Sequence, residues 1–347
     1  MAVERMPKEA GGIGLANLRK FLIRRLLTFI PTLIGVTLIV FLIAYVIPAD
    51  VARAWAGGEK ASQAYMEQIR KEYHLDEPWY DQYWFLVSGL ARNSIVDPRT
   101  SNYVFDDISE RFPITFELAL MAFFFILIIG IPLGIISALK RNTWVDTLIR
   151  FFALTGVSMP VFWLGYLLIY VFFVKVHWIT LAGFPAPPEH QITHIPMIDA
   201  LLTGDFDTFS QHIHRLWLPG FTLGFMGAGV LARFVRNSFL EAIGSDYVGF
   251  LKAKGVPKRG IYRHALKNAM VPIVTVLGLQ FGGLLGGTPI TETVFGLPGM
   301  GSYVIESIRN LDFPAVVAIT MVFALIFLIT NLVVDILYAL IDPRVRY

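Results

Sequence analysis

Six stretches of mostly apolar residues, at 21–47, 114–139, 148–174, 216–235, 269–288 and 315–340, leave this chain few alternatives to a helical membrane fold. Each approaches or exceeds the roughly 20 residues a helix needs to cross a hydrocarbon core about 30 Å thick. Each must also be helical, because a backbone amide left unpaired in lipid costs several kcal/mol. Composition agrees: 55% of the residues are hydrophobic, 16% are charged and mean hydropathy is +0.61, a balance that a soluble chain of 347 residues would not carry. The expected fold is all-α and polytopic, with six transmembrane helices.

Cations beside the spans set the expected orientation. Arg19, Lys20, Arg24 and Arg25 flank the start of the first run, and Lys140, Arg141 and Arg150 lie between the second and third. Arg233 through Lys267 occupy the region between the fourth and fifth, and Arg344 and Arg346 follow the sixth. All fall on one side if both termini are cytoplasmic. The first run is too long for the apolar part of a secretory signal and has no small-residue cleavage site, which predicts a retained helix. The chain then divides into a cytoplasmic tail (1–18), a first span (19–47), an extracytoplasmic insertion (48–112) and a core with five further spans (113–347). That core contains a basic inner loop at 237–268. Tyr65, Ile69 and Tyr73, then Trp79, Tyr83 and Leu86 after Pro78, predict two short helices in the insertion. Pro185, Pro187 and Pro188 forbid a continuous helix in the second outer segment, 175–215, and predict irregular backbone with room for short helices.

Enzymatic chemistry finds little footing. Cysteine is absent, which removes disulfides, thiolate metal sites and a cysteine nucleophile. There is no G-x-x-x-x-G-K-[ST] to cradle phosphates, so the chain cannot hydrolyse ATP by that route alone, and if transport is ATP-driven the ATPase is another chain. Neither a G-x-S-x-G nor a facing pair of aspartates marks the spans, and no cofactor is expected on this chain. Histidines 177, 190, 194, 212 and 214 lack a carboxylate or cysteine at ligand spacing, so no metal site is expected. The cations are scattered beside the spans, which fits anionic lipid or a protein partner and not nucleic acid. Glu117 and Asp335, the acids nearest the spans, fall within about two turns of predicted ends, where interfacial positions are expected. Four-residue glycine spacings at Gly220/Gly224, Gly278/Gly282, Gly282/Gly286 and Gly283/Gly287 predict close helix approach, as a fixed seam or a moving gate. Gly130 with Pro132 predicts a bend in the second span.

The inner loop carries the sharpest local signal. Ser245 or Asp246 can cap a short helix from Tyr247 to Lys254, which Gly255 ends and Pro257 keeps from continuing. Such a helix would gather Tyr247, Phe250 and Leu251 into an apolar knob, with Lys252 and Lys254 at its rim. A knob of this kind suits a groove in a soluble partner, or a face lying on anionic lipid.

This loop resembles the EAA loop of permease subunits from binding-protein-dependent ABC importers of the dipeptide/oligopeptide type. Asp246, Tyr247, Ala253, Lys254 and Gly255 match its first part, and His264, Ala265, Leu266, Asn268, Ala269 and Pro272 its second. The resemblance extends through YHLDEPWYDQYW at 73–84, FELALMAFFFILIIGIPLGIISALKR at 116–141 and SMPVFWLGYLLI at 158–169. It continues through TETVFGLPGMG at 291–301 and VDILYALIDPRVRY at 334–347, covering Arg19 to Tyr347. Gly249 stands where other importers carry the loop's glutamate, so no salt bridge is expected from that position.

The resemblance implies a type I ABC importer permease of a prokaryotic inner or plasma membrane. Such a chain forms half of a translocation pore with a second homologous permease subunit and works by alternating access. Two ATP-binding subunits, as a homo- or heterodimer, would drive it, and an extracytoplasmic substrate-binding protein would deliver its cargo. Coupling to the ATPase would fall to Asp246, Tyr247, Phe250, Leu251, Ala253, Lys254, Gly255, His264 and Asn268. Candidates for the substrate path are Trp163, Gly282, Gly283, Gly286, Glu292, Phe295 and Pro298. Peptides are the expected cargo, with oligosaccharides or nickel complexes as alternatives. The rival from another class, an ATP-independent secondary transporter, would need a coupling carboxylate at mid-membrane.

Overall fold

In the computed structural model, residues 15–46, 50–56, 61–286 and 288–341 are described, and helices account for nearly all of their regular structure. The first span is α1 (Leu15–Val46), so helix begins inside the expected tail, whose residues 1–14 lie outside the described residues. The insertion holds α2 (Val51–Trp55), α3 (Gln63–Glu72) and α4 (Trp79–Ala91). The last two are the helices the periodicity predicted. Ser62 caps α3 by accepting the Tyr65 N–H at 3.2 Å, Pro78 opens α4, and Ile69 and Leu86 are buried.

The second span is α5 (Val104–Leu139) and the fourth is α9 (Phe206–Gly244), with 36 and 39 residues. At about 1.5 Å per residue they are roughly 54 and 58 Å long, far more than a bilayer core requires. The apolar runs at 114–139 and 216–235 therefore marked only the middle of each helix. The expected boundary at 112/113 falls within unbroken helix, and the insertion gives way to α5 at Val104.

The third run is not one helix. It consists of α6 (Trp144–Ser158), α7 (Val161–Ile169) and a π-helical continuation (Tyr170–Lys175), the two halves meeting at 100°. Pro160 explains the break: it lacks an N–H, and its ring disfavours helical backbone at the preceding residue, so Met159 is extended at ψ 130°. Among the described residues, five helices can cross a membrane by length and composition, or six if this bent pair counts as one span. The remaining elements are α8 (Pro196–Thr203), α10 (Asp246–Ala253), α11 (Lys258–Gly286), α12 (Pro289–Phe295), α13 (Met300–Arg309) and α14 (Phe313–Ile341).

The α5–α9 seam organises the bundle. A Cβ on Gly134 would lie 2.6 Å from Val235 Cβ, and one on Gly224 2.6 Å from Phe125 Cβ, so both backbones approach where side chains are missing. Gly130 is part of this seam, facing Leu231, and α5 remains continuous helix through Pro132. On α11, Gly278 and Gly282 face Val334, Phe327 and Thr330 of α14, whereas Gly283 and Gly286 open outward with nothing within 4 Å. Gly287 lies outside the described residues. Arg25 pairs with Asp335, tying α1 to α14.

Candidate functional site

Helix α9 runs past its apolar portion to Gly244, and α11 is already helical at Lys258, so the inner loop contracts to α10 and two tight junctions. At the first junction Ser245 is extended, with ψ 155°. Its hydroxyl donates back to the Ala242 carbonyl at 2.6 Å and accepts no N–H from α10, so the expected side-chain cap is absent. At the second junction Gly255 has φ +76°, a left-handed conformation that a side chain would strain. The Val256 N–H reaches the Leu251 carbonyl at 3.1 Å and the Gly255 N–H the Lys252 carbonyl at 2.9 Å, the paired bonds of a Schellman C-cap. Both ends of α10 are thus set by backbone directly joined to a span.

The knob expected on α10 divides. Val248 is buried, Tyr247 and Leu251 are half-buried, and the Tyr247 hydroxyl is enclosed without a hydrogen-bond partner. These three turn inward because residues 247, 248 and 251 share one helical face. The outward stripe is Asp246, Gly249, Phe250 and Ala253, with Phe250 60% exposed and Lys254 Nζ 4.4 Å from its ring centre. On α11, Ala265 and Ala269 are buried against α9, which leaves His264 and Asn268 exposed beside Arg263 and Lys267. The result is a largely exposed phenylalanine ring in a basic surround.

Near this surface lies an ion pair that the sequence did not reveal. Asp146, at the start of α6, is fully buried and takes both arms of Arg236 on α9, Nε to Oδ1 and Nη2 to Oδ2, each at 2.9 Å. Ser137 Oγ of α5 donates to Oδ1 at 2.6 Å and the Asn142 N–H to Oδ2 at 3.0 Å. One carboxylate therefore joins three helices two turns from the end of α9.

At the opposite end, the α12–α13 hairpin folds around Glu292. Its Oε1 accepts from the Thr115 and Thr288 hydroxyls at 2.8 Å, and Oε2 from the Ser302 N–H at 2.9 Å, within the first turn of α13. Burial pushes the Glu292 carboxyl up from its ordinary value against these hydrogen bonds. A Cβ on Gly299 would sit 2.5 Å from Glu292 Oε2, and one on Gly301 2.6 Å from Pro289 Cα, which accounts for the last two of the three glycines in the TETVFGLPGMG motif. Phe295 is buried at 1% exposure, and Gly165 of α7 packs on its ring. Glu292, Phe295 and Gly282 are therefore enclosed within the fold and do not line a path in this conformation. Pro298, Gly283, Gly286 and Trp163 are exposed, and Trp163 borders a groove of about 470 Å³ at the bend of the third span.

Between α13 and the insertion lies an acidic cluster. Tyr303 Oη donates to Asp97 Oδ2 at 2.6 Å, Thr100 and Asn102 hold Asp107, and Asp312 is 1% exposed. Burial, then the Asp97 charge, pushes the Asp312 carboxyl up to about 8. Burial also raises Asp97, but hydrogen bonds from Tyr303 and the Arg99 N–H outweigh it and leave that carboxyl below its ordinary value. One proton shared by this pair avoids two adjacent buried charges.

Glu117, expected near the membrane interface, is fully buried within the fold. His212 Nδ1 lies 2.8 Å from its Oε2, and the Met197 N–H donates to Oε1 at 2.5 Å, so α5, α8 and α9 meet there. Ten extra residues of α5 before the apolar run place Glu117 in mid-helix. Among the described residues no cluster of three His, Cys, Asp or Glu side chains could hold a metal ion.

Residues 130–347 match the family described as binding-protein-dependent transport system inner membrane component, and residues 18–119 match that family's N-terminal membrane-component region. The chain belongs to this family. A dipeptide transport system permease protein of Alkalihalophilus pseudofirmus is 40% identical over 331 residues, covering 94% of this chain and 99% of the relative. A probable D,D-dipeptide transport system permease of Escherichia coli K12 is 43% identical over 317 residues, covering 90% and 93%. A glutathione transport system permease protein of the same strain is 39% identical over 332 residues, covering 94% and 99%. As a binding-protein-dependent permease component, the chain is a multi-pass membrane transport protein. The inner-loop motif and the TETVFGLPGMG motif occupy the two ends of its bundle described above.

Proposed function

We propose that this chain is one of two homologous permease subunits in an ATP-driven peptide importer, and that the pair forms a pore working by alternating access. Two ATP-binding subunits, using ATP and Mg, grip α10 from the cytoplasm, and an extracytoplasmic binding protein delivers the peptide to the opposite end. Both termini are cytoplasmic in this reading. The observation that carries it is α10 itself, a short helix locked between two spans with an exposed Phe250 in a basic surround. Exposing a large aromatic side chain to water has no folding benefit, whereas a partner's groove would bury it. The direction of cargo follows the dipeptide and glutathione permeases to which the chain is similar along nearly its whole length.

Reconstitution tests this directly. The chain, its homologous permease and the ATP-binding subunits in liposomes should accumulate a dipeptide only with ATP inside and the loaded binding protein outside. Uptake by the chain alone without ATP would overturn the proposal, and uptake of an oligosaccharide or nickel complex in place of peptide would correct the cargo.

A further inference from the structure

Arg215, on α9, is a buried guanidinium without a carboxylate. It is 7% exposed, and among the described residues no acidic side chain lies within ion-pair distance of it. Its Nε donates to the Gly183 carbonyl at 2.9 Å, and Nη2 to the carbonyls of Leu181, Phe295 and Gly296 at 3.0, 2.9 and 3.2 Å. Those bonds hold the 181–183 loop to the end of α12 and use one edge of the fork. Nη1 makes no such bond, yet it is not among the enclosed atoms that lack a partner, so it reaches the surface. Arg215 also lines a cavity of about 450 Å³, together with Thr180, Ser210, Gln211 and His214. No acid lines that cavity, and each of those four side chains can donate a hydrogen bond. Carbonyl dipoles offset only part of a buried positive charge, and the remaining Nη1 edge has the geometry that carboxylates favour.

We infer that this cavity is a binding site for a carboxylate, received by Arg215 Nη1 and the donors of Gln211, His214 and Ser210. The inference rests on the permease reading for its two possible sources: the free carboxyl terminus of an arriving peptide, or an aspartate or glutamate side chain of the delivering protein. The cavity lies at the end of the bundle bearing α12 and the outer turns of α9, where either would arrive.

Replacing Arg215 itself would also release four carbonyls, so the test uses Gln211→Glu. This variant places a carboxylate one helical turn before Arg215 and leaves the carbonyl bonds intact. In the first measurement, acetate replaces chloride at constant ionic strength around the purified transporter in nanodiscs. The melting temperature should rise for the wild type and stay level for Q211E, whose site is already filled. This arm needs neither uptake nor a partner, so it separates failure of the inference from failure of the transport assignment. In the second, binding of the peptide-free delivering protein weakened about tenfold or more in Q211E identifies an acidic side chain as the source. In the third, loss of the preference for free over C-terminally amidated peptide identifies the peptide carboxylate. Absence of acetate stabilisation in the wild type, or acetate stabilisation with both later measurements unchanged in Q211E, overturns the inference.

Discussion

Gly249 offers a clean perturbation of the proposed docking face. It lies on the exposed stripe of α10, a Cβ there would meet nothing within 4 Å, and its φ is not among the left-handed glycines of the chain. In the isolated permease Gly249→Leu should therefore stabilise α10 by about 0.8 kcal/mol, the difference in helix propensity. If a partner's groove covers this stripe, the same side chain must be accommodated in a packed interface, which costs about 1–3 kcal/mol and weakens docking about 5- to 150-fold. The assay is co-purification of the ATP-binding subunits with G249L, together with ATP-driven uptake in proteoliposomes. The reasoning predicts an unchanged or slightly raised melting temperature for the isolated chain, with depleted ATPase and reduced uptake. Full ATPase recovery and normal uptake would show that nothing packs against Gly249. Stronger association with anionic liposomes at normal uptake would favour a lipid-facing α10.

Other consequences can be measured in the same preparations. Asp146→Asn leaves Arg236 largely buried without its counter-charge and should destabilise the chain by about 3–5 kcal/mol, read as a fall in melting temperature that D146N/R236Q partly reverses. Gly299→Ala forces a Cβ to within 2.5 Å of Glu292 Oε2 and should cost about 1–3 kcal/mol, seen as faster proteolysis between α12 and α13. Asp312 binds its proton more tightly folded than unfolded, so its contribution to stability is full below its ordinary value of 3.8 and is lost as pH rises through about 8. Thermal stability should therefore decline across that window, and Asp312→Asn should flatten the decline. Gly255→Val must carry a left-handed β-branched residue at a cost of about 1–2 kcal/mol, confined to the end of α10. The spans should assemble while ATP hydrolysis no longer drives uptake.

Most of the architecture was legible because lipid imposes a simple rule: long apolar runs must be helices. Helices α3 and α4 of the insertion were also legible, since Pro78 is a local start signal and Ile69 and Leu86 follow helical spacing. Helix ends in the α5 and α9 regions were not, because hydropathy reports where lipid is and not where helix stops. Polar first and last turns such as 104–113 and 236–244 continue the helix unseen. The break at Pro160 was written in the sequence but masked by apolar residues on both sides. Long-range pairing was out of reach for a single sequence. Nothing near Asp146 announces Arg236, and nothing near Glu117 announces His212, 95 residues later. Glu292 illustrates the same limit: an acid in a glycine-rich outer loop looks like a ligand contact until the fold shows it capping α13. On α10, helix length and the Gly255 stop were local and readable, whereas the division between Tyr247 and Phe250 depended on how α9 and α11 approach.

The chain has no cysteine, so a single one introduced at Phe250 reports only on α10. In intact cells expressing the whole transporter, F250C should resist a membrane-impermeant maleimide added outside and should form a cross-link to an ATP-binding subunit when a short bifunctional reagent enters. Ready labelling from outside, with no cross-linked ATPase, would contradict the account at its centre.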